Sequence, residues 1–143
     1  MVLYFDSAYV AQCYLSKADS QRVRELSTTA DVIFSSGLAV AEMATVFHRH
    51  LREGRAGPGA IAQALRAFRT DAADGAWVFE PVSDQIIESA TGTILGMPEG
   101  LLIRASDAIH LATARHLGLT EVWTNDRRML EAAPAFGVTG RSV

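Results

Sequence analysis

The sequence predicts an α/β fold, a parallel sheet of about five strands sandwiched between helices. Short apolar runs rich in β-branched or aromatic residues alternate with longer stretches of helical character, the pattern of a parallel sheet covered by helices. Each run is short enough to be a buried parallel strand. Glycines stand where helical patterns stop, at Gly54, Gly57, Gly75, Gly96 and Gly118.

In chain order, VLYF makes a first strand at Val2–Phe5, and helices follow over about Ser7–Lys17 and Ser20–Thr29. A second strand is expected at Val32–Ser35, then a helix over Leu38–Glu53 ending at Gly54. Pro58 suits a first helical turn and opens a helix to Ala72. Trp77–Glu80 reads as the third strand, and Asp84–Leu95 as a helix closed by Gly96. The segment GMPEG, Gly96–Gly100, is expected to be the mobile loop. Beyond it come a helix over Arg104–Leu117, a strand at Glu121–Thr124, a helix over Arg127–Ala133 and a last strand at Gly137–Thr139.

A chain of 143 residues suits one domain, 1–143, and no linker, repeat or low-complexity tract divides it. The composition, 49% apolar and 20% charged, is that of a globular protein, and no apolar run approaches the roughly 20 residues of a membrane span. No charged n-region with a longer apolar h-region stands at the start, so a cytoplasmic protein without membrane contact is expected. Cys13, the only cysteine, excludes an internal disulfide and a cysteine-based zinc site; within AYVAQCYL it reads as a packed apolar residue. The net charge of −3 counts against a simple electrostatic nucleic-acid binder. Even so, 12 of the 13 basic residues are arginine, in groups such as Arg22/Arg24, Arg49/Arg52/Arg55, Arg66/Arg69 and Arg127/Arg128. These are either solvated helix faces or a local phosphate-binding rim.

Four acids carry the functional signal. Asp6, Glu42, Asp107 and Asp126 are separated by 36, 65 and 19 residues, so each falls on a different element and any shared site must be assembled by the fold. Asp6 and Asp126 follow predicted strands, at the carboxyl edge where ligands of parallel sheets bind. Glu42 has Leu38, Ala39, Thr45 and Val46 as helical neighbours, and Asp107 has Ile103, Arg104, His110 and Leu111. Both faces are mainly apolar, and an unpaired carboxylate there costs several kcal/mol. Clustered carboxylates repel unless they take up protons or a cation neutralises them, and a hard divalent ion, Mg²⁺ or Mn²⁺, suits oxygen ligands.

Each residue also has a plainer reading. Asp6 and Asp126 could only cap helices. Glu42 could snorkel out, and Asp107 could pair with Arg104 alone. His110, in the apolar run AIHLA, reads first as a satisfied core or supporting histidine, since no second histidine lies at ligand spacing. His48 and His50 do not share a helical face and look like an exposed helix end.

The segments YFDSAYVAQCYL, SSGLAVAEMATVFHR and IRASDAIHLATARHLGLTEVWTNDRRMLEAA, with the closing GV step, together resemble the PIN-domain nucleases, most closely VapC-type toxins of toxin–antitoxin pairs. The resemblance runs the length of the chain in order and implies a PIN-like fold. DAIHLATA is its most diagnostic stretch; the middle, Glu53–Gly100, carries little of it. It implies that Asp6, Glu42, Asp107 and Asp126 hold Mg²⁺ or Mn²⁺, with Asp6 and Asp107 direct ligands and Ser7 and Thr124 supporting hydroxyls. It further implies endonucleolytic cleavage of RNA of the tRNA or rRNA class, leaving a 5′-phosphate and a 3′-hydroxyl. A homodimer and silencing by a VapB-like antitoxin are implied partners. Tyr9, Tyr14 and Leu15 would offer apolar surface for them, or simply belong to the core. One departure is Gln12, where many relatives place lysine.

Three other readings fit parts of the pattern: a housekeeping nuclease of the same type, a silent RNA- or partner-binding domain, and an aspartyl-phosphate receiver or phosphatase. The last is weakened because the only lysine is Lys17, and Ala8 stands where the phosphatases carry a second acid.

Overall fold

The computed structural model describes residues 1–15 and 20–143. Among these residues the strands are β1 (Val2–Tyr4), β2 (Val32–Ser36), β3 (Trp77–Glu80), β4 (Glu121–Trp123) and β5 (Thr139–Arg141). The helices are α1 (Ser7–Gln12), α2 (Ser20–Ser27), α3 (Leu38–Arg52), α4 (Pro58–Ala73), α5 (Asp84–Gly96), α6 (Ala105–His116) and α7 (Arg127–Ala132), with a 3-10 turn over Ala133–Phe136. The α/β class and the element order are those expected.

β1 pairs with β2, β2 with β3 and β4 with β5, all in parallel. A bridge between Phe5 and Trp123 joins the two groups, so the strands lie in the order β3-β2-β1-β4-β5. Successive side chains of β1 point to opposite faces. Leu3 and Phe5 therefore enter a core with Tyr9, Val10, Met43, Phe47 and Trp77, beneath α1, α3 and α4. Tyr4 enters another with Ile86, Leu111, Val122, Met129 and Phe136, beneath α5, α6 and α7.

Several boundaries differ from expectation. The first helix ends at Gln12, with Cys13–Leu15 in a turn, and Lys17, its expected end, lies outside the described residues. The last strand begins at Thr139 rather than Gly137, because Gly137 is still turning at φ 73° after the 3-10 segment. Gly140 lets β5 lie against α7: a Cβ there would stand 2.9 Å from Leu130 Cδ2 and 3.0 Å from Leu130 Cα. Gly96, expected to open the loop, is the last residue of α5, and the turn that follows has Leu101 N–H donating to the Pro98 carbonyl at 3.0 Å.

His50 corrects the picture of an exposed helix end. His48 is exposed, but His50 is buried and hydrogen-bonds the Val46 carbonyl through Nδ1 at 2.9 Å. Tyr9 and Leu15 are buried and Tyr14 is half-buried against the first core, so these residues serve packing. Gln12 is buried as well. Cys13 is half-buried, and burial pushes its thiol up to about 11, consistent with an unreactive packed residue. Among the described residues no helix is long and apolar enough to cross a membrane.

Candidate active site

The strand order reverses between β1 and β4, and in a parallel sheet the crevice for ligands opens at the carboxyl ends beside such a switch. Asp6 N–H still donates to the Trp123 carbonyl at 3.2 Å. Past that bond the two chains part, one into α1 and the other through Thr124, Asn125 and Asp126 into α7. Asp6 and Asp126 are thus delivered to one crevice from opposite sides of the switch.

Asp6 caps α1. Its Oδ1 accepts from Tyr9 N–H at 2.8 Å, and its Oδ2 accepts from the Thr124 hydroxyl. Thr124, 1% exposed, also accepts from Asp126 N–H at 2.9 Å, so one buried hydroxyl ties both aspartates together. Asp126 caps α7 through Oδ1, which accepts from Arg128 N–H at 2.8 Å and Met129 N–H at 3.2 Å. The capping reading is therefore correct for both residues. It does not exhaust them, because an ionised carboxylate offers about four lone-pair sites.

Glu42, on α3, accepts from His110 Nε2 at 2.8 Å. His110, on α6 and 1% exposed, uses its Nδ1 with the Tyr4 hydroxyl at 3.0 Å. Asp107 stands one turn before His110 on the same helix, and its Oδ2 is buried with no hydrogen-bond partner. The pairing with Arg104 alone is not formed among the described residues. The four acids, Ser7, Arg49 and Arg104 all line one cavity of about 300 Å³. Ala8 also lines it, so no second acid follows Asp6 at the phosphatase position.

The crevice resists negative charge. Burial raises the Asp6 carboxyl to about 6, against the bonds from Thr124 and Tyr9 that favour the anion. Burial also raises the Asp107 carboxyl, and the charges of Asp126 and Glu42 push the same way. Burial holds the Tyr4 phenol well above its ordinary value, so it remains a hydroxyl. A site built this way gains from a cation. As they stand, no three His, Cys, Asp or Glu side chains among the described residues are placed to hold one metal ion. Glu42 leans on His110, while Asp6 and Asp126 lean on helix amides. The donor set nevertheless suits a hard divalent ion: every lining acid presents oxygen, and Asp107 Oδ2 lacks any other partner.

Two features were not assembled from sequence. The Tyr4–His110–Glu42 chain joins residues 106 and 68 positions apart. Its one local signal was a histidine on an apolar helix face. Arg49 and Arg104 reach the cavity without forming an ion pair among the described residues. Their local signals are position: Arg49 lies two turns after Glu42, and Arg104 one turn before Asp107.

The PIN domain family model matches residues 3–134. No curated protein sequence matches the chain. Among solved structures, the fold is similar to VapC20 of Mycobacterium tuberculosis, described as a sarcin-ricin-loop-cleaving toxin. That match has 19% identity and a TM-score of 0.69 over 92% of this chain and 95% of that one. It is similar to FitAcB from Neisseria gonorrhoeae, with 16% identity and a TM-score of 0.73 over 98% and 96% of the two chains. A toxin–antitoxin complex from Klebsiella pneumoniae gives 16% identity and a TM-score of 0.59 over 93% of each.

Proposed function

The chain belongs to the PIN-domain family, and from that premise we propose that it is a metal-dependent endoribonuclease, the toxin of a toxin–antitoxin pair. The observation that carries this reading is the cavity itself, where acids from β1, α3, α6 and α7 or their edges meet two arginines that pair with none of them. A binding surface alone has no need to collect four like charges around an orphaned carboxylate oxygen. Asp6 and Asp107 would hold Mg²⁺ or Mn²⁺ directly, and Glu42 and Asp126 directly or through water. Such an ion, when bound, supplies charge neutralisation of the scissile phosphate and acidifies a nearby water at neutral pH. The chain's own part is to fix the acids: Thr124 orients Asp6 relative to Asp126, and Ser7 offers a hydroxyl at the cavity wall.

Arg49 and Arg104 would bind the flanking phosphates, since a guanidinium fork matches phosphate geometry. Replacement of Arg104 with alanine is expected to lower kcat/KM about tenfold, mainly through KM, and to reduce the salt slope of RNA binding by roughly 0.7. Filter binding at several salt concentrations checks it; an unchanged slope removes Arg104 from the substrate groove.

RNA of the tRNA or rRNA class, cut to leave a 5′-phosphate, fits the reading, and the VapC20 neighbour is described as a sarcin-ricin-loop-cleaving toxin. A VapB-like antitoxin is the proposed inhibitor, supported by likeness to the Klebsiella pneumoniae complex. An apolar groove of about 250 Å³ along α3 and α4, lined by Val40, Met43, Phe47 and Leu65, suits an antitoxin segment better than the buried Tyr9 and Leu15. Exposed Ile87, Ile94, Leu95 and Leu102 support a homodimer. We further propose that residues 1–143 form one domain that works in the cytoplasm.

Purified protein should cleave RNA with Mn²⁺ or Mg²⁺, lose activity in EDTA and regain it when either ion is returned. Cleavage that persists in EDTA would refute metal dependence. A silent RNA-binding domain is the rival reading, favoured by the helix caps that engage one carboxylate oxygen each of Asp6 and Asp126. It predicts RNA retention with no Mn²⁺-dependent scission.

A further inference from the structure

We propose that Tyr4 and His110 are a positioning pair that fixes the Glu42 carboxylate in the acidic cavity. The proposal deepens the nuclease reading and rests on it for the identity of the site. Glu42 reaches the cavity from α3 with three rotatable side-chain bonds, and without a partner its carboxylate would sample many rotamers. His110 restricts it through the 2.8 Å bond from Nε2 to Oε1.

The hydrogen-bond inventory sets the ring's roles. An ionised carboxylate only accepts, so Nε2 carries the proton. In the neutral ring Nδ1 is then an acceptor, and the Tyr4 hydroxyl donates to it at 3.0 Å. Tyr4 is fully buried and His110 is 1% exposed, so neither side chain can swing away to water. The edge-on contact of the two rings, centroids 6.0 Å apart and planes at 81°, holds the imidazole plane toward Glu42.

The placement is not incidental to the acids. Tyr4 lies two residues before Asp6 at the end of β1, and His110 lies one turn after Asp107 on α6. The chain Tyr4–His110–Glu42 therefore locks together the three elements that carry Asp6, Asp107 and Glu42. It also connects helices packed on opposite faces of the sheet, since α3 lies over the Phe5 core and α6 over the Tyr4 core. Surrounding groups that orient a ligand commonly change metal affinity or activity 10–100-fold when removed.

The test uses the full chain, with Mn²⁺ alone as the calorimetric probe and RNA cleavage as a second readout. His110→Phe keeps the ring volume and removes the donor; Mn²⁺ affinity and kcat should fall roughly tenfold or more, with KM for RNA little changed. His110→Gln, whose amide nitrogen falls near the position of Nε2, should recover part of the loss. In a Glu42→Gln background, His110→Phe should have no further effect on Mn²⁺ affinity, because it acts through Glu42. A folded His110→Phe protein with wild-type Mn²⁺ affinity and kcat overturns the proposal, as does full additivity with Glu42→Gln. If His110→Phe does not fold, Tyr4→Phe, which deletes one hydroxyl, carries the same comparison. Should the wild type bind Mn²⁺ without cutting RNA while His110→Phe weakens binding, the positioning role stands and the nuclease reading falls. A wild type that binds no Mn²⁺ overturns both.

Discussion

Substituting asparagine for Asp107 is expected to reduce RNA cleavage on the order of a thousandfold or more, as loss of a central group in a cooperating site does, with a melting temperature unchanged or raised. Asp107 Oδ2 is buried without a partner, and the ionised carboxylate is opposed first by burial and then by Asp126 and Glu42. Asparagine keeps the shape and removes the charge, so relief of repulsion offsets the amide left without an acceptor. A group retained against the stability of the fold is the signature of a functional position. Cleavage rates with Mn²⁺ and a thermal melt in metal-free buffer decide the matter together. Wild-type cleavage by the folded variant would remove Asp107 from the reaction. A large fall in melting temperature would mark it as a structural residue instead.

Asp6 should impose a pH dependence on stability that Asp6→Asn abolishes. Its carboxyl titrates at about 6 in the folded protein against 3.8 without the fold. Between those values the folded state binds more protons than the unfolded chain, so stability falls as pH rises. The contribution is fully present below about pH 4 and is lost as pH climbs through 6. That difference corresponds to about 3 kcal/mol. Urea unfolding in metal-free buffer at pH 4.5 and 7.5 should show wild type losing most of that amount relative to Asp6→Asn. Asparagine keeps the Oδ1 cap to Tyr9, so α1 should persist in the variant. Equal pH slopes would show that Asp6 ionises as freely in the fold as outside it. Cleavage should also disappear in Asp6→Asn, because the same carboxylate is assigned to the cation.

The two substitutions bear on one physical point. The protein spends stability to hold carboxylates close, and neutralisation returns it, by protons at Asp6 below pH 6 and by a cation in the proposed enzyme. Mn²⁺ added at pH 7.5 should therefore stabilise wild type more than either variant.

Local chemistry made much of the molecule legible in sequence. Strand runs such as VLYF and Trp77–Glu80, and helix stops such as Gly54 and Gly118, depend on neighbours within a few positions, and the elements appear in that order. The acids could be selected for the same reason: a carboxylate on an apolar helix face, or just past a strand, conflicts with its immediate surroundings. Even the caps at Asp6 and Asp126 were readable, since N-capping joins residues two or three apart.

Side-chain partners across the sheet were decided by the tertiary structure alone. His50 looked exposed beside Arg49 and is buried because α3 sets it against the body of the protein. Thr124 meets Asp6 across 118 positions, and His110 meets Glu42 across 68. Those partners follow from β4 lying next to β1 and from α3 and α6 approaching the same sheet end. No periodicity in the chain encodes such approaches. Residue pattern determined which groups were out of place; strand order determined which of them would face one another, because a hydrogen bond reads distance in space and not along the chain.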